Sequence, residues 1–176
     1  MKVENHIIIT PKATMLNGSE ISEKDIMGLY RDYCDDYPKF FKMDKLSQIG
    51  FIGAEILLKD YSASDKENMA VILFNRNGSL ITDRKYQGTI VEGDYFPSPA
   101  VFVYTLANIV TGEIAIRHKI FGESSFYILS QFDNNKIDEI IESVYYTSNP
   151  KYILCGWVDY ETDSDYLVDM KIVTNN

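Results

Sequence analysis

The chain has 176 residues, enough for one domain, and its 45% hydrophobic and 13% aromatic content supplies a real core, which excludes a disordered chain. Its 17 basic against 26 acidic side chains leave a net charge of −9. Such a surface repels phosphate backbones and anionic lipid, which argues against nucleic-acid and membrane-surface roles.

The N-terminus MKVENHIIIT has one early Lys and an apolar run of three, which is no secretory signal, and no apolar run approaches a membrane span. A reduced, cytoplasmic protein is the expectation. HIIIT (6–10) reads as a short β-branched strand, followed by the loop signals Pro11 and Asn17-Gly18. Both NGS triplets, at Asn17 and Asn77, read better as Asn-Gly turns than as glycosylation acceptors. Ser22 is placed to cap a first helix over EKDIMGLYRDY, with acidic residues in its first turn. A second helix starts at Asp44, with Leu46, Ile49, Gly53, Ile56 and Leu57 on one face. Gly50 and Gly53 lower its helix propensity and point to close approach of another element.

AVILF (70–74) is a continuous apolar strand, the pattern of burial on both faces. Residues 79–96 read as helix then loop, and Ser98-Pro99 starts one or two further helices, broken near Asn108. SFYILS (125–130) reads as another buried strand. Ile137, Ile140, Ile141, Val144 and Tyr145 form the apolar stripe of a helix capped by Asp133. YILCGWV (152–158) and YLVDMKIV (166–173) are the last strands, joined by a solvated loop at ETDSD (161–165). Apolar strands alternating with helices indicate an α/β layer, within a single domain over residues 1–176.

Chemistry-bearing residues are sparse. Of the two histidines, His6 opens the first strand and His118 lies in the basic trio Arg117-His118-Lys119, neither in a metal-ligand pattern. No dinucleotide, P-loop or nucleophile-elbow motif is present, so neither cofactor nor metal is expected. Cys155 reads as a buried structural thiol, and Cys34 sits among acidic residues that would raise its pKa. Gln131 stands between the SFYILS strand and its helix, a corner where some enzymes carry a nucleophilic Cys or Ser.

The run SPAVFVYTLANIVTGEIAIRHKIFGESSFYILSQ resembles the N-terminal half of the β-ketoacyl-acyl carrier protein synthases, which have the thiolase-like fold. In that family a segment P…PN-x-x-x-G-x-I-x-I…G-P leads into a strand that ends in the catalytic Cys. Asn108, Gly112, Ile114, Ile116 and Gly122 stand at matching places, with Ala107 where the family often has Pro, and Gln131 falls at the Cys. FKMDKLSQIGFIGAEILLKD (41–60) resembles the family's R-M-D-x-x-S helix, and AVILFNRNGSLITD the strand and turn after it. KYILCGWVD resembles the strand with the family's G-G stretch, with Gly156 retained and Trp157 in place of the second Gly.

The resemblance implies a thiolase-like half, a mixed and mostly parallel sheet of about five strands flanked by helices. It also implies that the nucleophile is missing. The family's two histidines and supporting Lys lie in a C-terminal half that would begin where this sequence ends, and no His follows His118. Chain-length factors, the inactive partners in polyketide ketosynthase heterodimers, also carry Gln at that position. In thiolase-like proteins the strand before the nucleophile is an edge strand that pairs across a two-fold axis. Ser125, Phe126, Tyr127, Ile128 and Leu129 would then form a dimer interface, with an ordinary central strand as the alternative. The expected partners are a second copy or a full-length ketosynthase in fatty-acid or polyketide/polyene assembly. An acyl carrier protein would dock weakly at Arg117, His118 and Lys119, where a role at a helix end is the alternative. Two other readings stay open: an acyltransferase using an unrecognised residue, and a stand-alone module that binds acyl groups or carrier protein.

Overall fold

A computed structural model describes residues 1–93 and 96–175. Seven strands, β1 (Lys2–Ile9), β2 (Thr14–Leu16), β3 (Ser19–Ser22), β4 (Ala70–Asn75), β5 (Ser124–Ile128), β6 (Ile153–Thr162) and β7 (Asp165–Thr174), form one sheet in the order β3-β2-β1-β7-β6-β4-β5. β4 pairs parallel with β5 and β6, while β7 is antiparallel to both of its neighbours, β1 and β6. So β1, β4, β5 and β6 run one way and β7 the other, the mixed, mostly parallel core expected from the sequence.

The count of about five strands is corrected by β2 and β3. Asn17 and Gly18, at φ 51° and 80°, make a two-residue turn that folds β3 back on β2, and β2 extends the sheet from β1. Both added strands are too short to show a strand pattern. Ser22 ends β3, and the first helix, α1 (Ile26–Tyr33), is capped by Asp25 instead.

The other helices are α2 (Lys45–Leu58), α3 (Ala63–Glu67), α4 (Leu80–Gln87), α5 (Pro99–Phe102), α6 (Ile109–His118) and α7 (Asn134–Ser148). Asp44, Ser98 and Asp133 cap α2, α5 and α7 through side-chain bonds to backbone N–H groups, as their positions suggested. The loop expected at residues 94 and 95 lies outside the described residues. Among the described residues no single helix is long and apolar enough to cross a membrane.

The two faces of the sheet are covered unequally. On one, α2 is buried from Leu46 to Leu58, packed among the sheet, α1 and α6, so its apolar surface is not confined to one stripe. A Cβ on Gly50 would come within 2.7 Å of Val110, and one on Gly53 within 2.9 Å of Val168, which is the close approach that these residues signalled. The other face carries α7, which packs Ile137, Ile141, Val144 and Tyr145 on Ile72, Phe74, Cys155 and Trp157. β7 records the asymmetry in sequence. Tyr166, Val168, Met170 and Ile172 are buried, and the alternating Leu167, Asp169 and Lys171 are only half-buried.

Candidate functional site

β5 lies at the sheet edge, hydrogen-bonded to β4 on one side, with no strand beyond it among the described residues. It is only partly buried, which corrects the reading of SFYILS as a buried strand: an edge position leaves one side open. Phe126 packs toward the α2-side core, and Tyr127 stacks on Phe74 with ring centroids 5.4 Å apart. Ile128 is 62% exposed and lies over Gly78. Leu129 N–H donates to the Asn75 carbonyl at 2.9 Å, which fixes where the chain leaves the sheet.

Gln131 follows in an exposed bend before the Asp133 cap of α7. It lines a cavity of about 250 Å³ with Arg76, Phe132, Trp157, Asp159 and Glu161. Trp157 is 4% exposed, and Phe132 meets it edge-on at 5.4 Å and 77°. Thus Gln at the expected Cys and Trp at the expected second Gly line the same cavity. Asp159 Oδ1 is buried there without a hydrogen-bond partner, and burial holds this carboxyl above the usual range against the opposing pull of Arg76. Arg76 is ion-paired with Glu161. Sequence reasoning missed Phe132 and Asp159, and the only signal for the cluster was the bulky Trp157 at a glycine position.

The motif residues have separate local causes. A Cβ on Gly122 would collide with the Met69 carbonyl oxygen where the chain enters β5. Gly156, at φ +147°, lies against the backbone of Asp169 in the neighbouring β7. Asn108 precedes α6 without a side-chain cap bond, and its carbonyl accepts from Thr111 at 2.7 Å. Gly112 has open space where a Cβ would stand.

Arg117, His118 and Lys119 do not form a solvent-facing trio. Arg117 Nε donates to Glu55 at 2.9 Å and its Nη2 to Asp36 at 2.7 Å, with the guanidinium 5.0 Å from the Tyr37 ring centre. The His118 side chain, 8% exposed, has Nε2 at 3.0 Å from Glu55 but out of line for a good hydrogen bond. Burial alone would raise the Glu55 carboxyl, yet His118 and Arg117 hold it down to about 2. Glu55 is 62 residues from Arg117 in sequence, so periodicity could not expose the pair. Lys119 is exposed, and at φ 56° it ends α6 in the left-handed conformation.

The remaining candidates are His6 and the two cysteines. His6 Nε2 is 2.7 Å from Asp169, and both line a second cavity of about 290 Å³ with Val3, Phe132, Trp157 and Lys171. Cys155 is fully buried, and burial pushes its thiol up to about 12, so it stays protonated and enclosed at neutral pH. Burial likewise pushes Cys34 up to about 12, reinforced by Glu55. Among the described residues no cluster of three or more His, Cys, Asp or Glu could hold a metal ion.

No family model and no curated protein sequence matches the chain. Solved structures do. Over 99% of this chain and 79% of the other, it superposes with a TM-score of 0.67 and 12% identity on a structure described as a ketosynthase (ApeO) in complex with its chain length factor (ApeC) from Xenorhabdus doucetiae. Over 98% of this chain it superposes on the ishigamide ketosynthase/chain length factor with a TM-score of 0.75 and 13% identity, spanning 61% of that chain. The chain therefore has the thiolase-like fold of the ketosynthases.

Proposed function

We propose that this chain is a non-catalytic, ketosynthase-like subunit that pairs through β5 with a complete ketosynthase in fatty-acid or polyketide-type assembly. The observation that carries the reading is an open, largely apolar edge strand that leads into Gln131 instead of a nucleophile. An amide can hydrogen-bond a carbonyl but cannot form the acyl-enzyme that condensation needs. The open β5 edge would otherwise invite non-specific pairing. Ile128 continues by way of Gly78 and the Ser79–Thr105 hydrogen bond toward exposed Phe102, Val103 and Leu106, which widens the apolar surface beside the edge. Both solved neighbours are ketosynthase/chain length factor complexes by their descriptions, which supports a partner role. In this reading an acidic carrier protein would meet local positive charge at Lys119 and at Arg84-Lys85 of α4, all exposed.

Co-expression with a complete ketosynthase, followed by sedimentation at micromolar concentration, tests the pairing. The expected result is a heterodimer that Ile128→Asp dissociates. A parent chain that stays monomeric with the ketosynthase present overturns the reading.

A further inference from the structure

The cavity beside Gln131 and the cavity beside His6 share two lining residues, Phe132 and Trp157. Their volumes, about 250 and 290 Å³, are each small for an extended ligand, whereas together they fall within the range of small-molecule sites. The common wall is the edge-on aromatic pair, with the indole rooted on β6 and Phe132 at the mouth, 38% exposed. Trp157 points from β6 toward the α7 side, into space that a glycine at this position would leave open.

We infer that Trp157 is a plug: with Phe132 it divides what would otherwise be one channel running from Gln131 to His6, and it closes this chain to neutral acyl ligands. The inference deepens the non-catalytic reading and rests on it for the ligand class, since an acyl thioester is what this corner would receive. Two features of the walls fit the assignment. Val3, Ile137 and Leu167 give the two cavities apolar surface that suits an alkyl chain. Asp159, Glu161 and Asp165 on the Gln131 side oppose an anionic ligand, so the chain excluded is a neutral one. The indole supplies the bulk that occupies the passage, and Gln131 at its rim offers an amide where a covalent bond would otherwise form.

Binding of the neutral fluorophore N-phenyl-1-naphthylamine, with octanoyl-pantetheine as competitor, tests the plug without any ketosynthase present. The parent chain should show no saturable binding. Trp157→Gly should bind at least about tenfold more tightly, because a few additional buried methylenes suffice for that change. Loss of the indole could unfold the chain, so Trp157→Leu and Phe132→Ala accompany it, the first keeping an apolar anchor and the second altering a partly exposed ring. Competable binding by any folded opened variant, and not by the parent, supports the plug. Equal binding by parent and variants, or no competable binding by any variant that melts cooperatively, overturns it. Failure of heterodimer formation would leave this readout unaffected, so the two readings fail separately.

Discussion

Gln131 and Trp157 line one cavity, so a substitution at either leaves the other in place. Gln131→Cys would place a thiol in a cavity walled by Trp157 and two carboxylates, Asp159 and Glu161, which disfavour a thiolate. The two histidines are engaged elsewhere, His6 with Asp169 and His118 with Glu55. Condensation from malonyl- and acyl-carrier protein should therefore stay at background for the parent and for Gln131→Cys. Turnover above a heat-killed control that survives in Gln131→Ala would place chemistry at another residue. Arg117 gives a second test at this scale. Arg117→Glu leaves the buried Glu55 carboxylate facing a like charge and should cost about 3–5 kcal/mol in urea denaturation. Lys119→Glu, one turn-end away on the surface, should stay within about 0.5 kcal/mol. Equal losses for the two would mean that the guanidinium network is not what holds α6 to α2. None of this was legible from residue spacing, because Arg117 and Glu55 belong to different helices and Trp157 meets Phe132 only after the sheet has formed.

Among the elements, those with a strong period agree with the sequence reading, although the cap of α1 is Asp25 and not Ser22. α2 and α7 begin where Asp44 and Asp133 stand, and β4 (Ala70–Asn75) contains the continuous apolar run AVILF (70–74). Elements whose sequence lacks such a signal were not. TML and SEIS become strands because the Asn17-Gly18 turn and the open side of β1 give them partners. β5 was misjudged in burial for a related reason. FYIL (126–129) is an apolar run like that of a central strand, and its place in the sheet order makes it an edge. Ile128→Asp tests what that edge is for. With Ile128 largely exposed, the isolated monomer should lose less than about 1 kcal/mol, whereas a strand-paired assembly should lose several kcal/mol as the carboxylate is desolvated. A variant that weakens the monomer as much as the complex would make β5 a folding element and not an interface.

At the scale of the whole molecule, charge and coverage are both uneven. Glu55 ties α2 to α6 through Arg117 and His118, Arg117 also reaches Asp36 in the turn after α1, and the Glu55 pKa is held down to about 2 from the ordinary 4.5. A depressed carboxyl pKa contributes stability that is fully present above about pH 4.5 and is lost as the pH falls toward 2. The parent's melting temperature should fall steeply across that window, and Glu55→Gln should flatten this part of the profile while lowering the plateau at neutral pH. An unchanged acid limb in Glu55→Gln would remove Glu55 from the account of acid unfolding.

The uneven coverage makes a separate prediction about motion. α2 is enclosed on all sides by sheet and helices, whereas α7 buries one stripe and turns Lys136, Glu139, Glu142 and Tyr146 to solvent. A helix held by one face opens at lower free energy than one at the centre of the core. Native-state hydrogen exchange should therefore show the amides of Asn134–Ser148 exchanging through a partial opening, with those of Lys45–Leu58 exchanging only in global unfolding. Adding the ketosynthase then separates two modes of assembly. Pairing along the edge should slow exchange in Ser124–Ile128 first, since its unpaired backbone groups gain partners directly. Protection confined to α7, with β5 unchanged, would place the partner on the thinly covered face and exclude the strand edge as the contact.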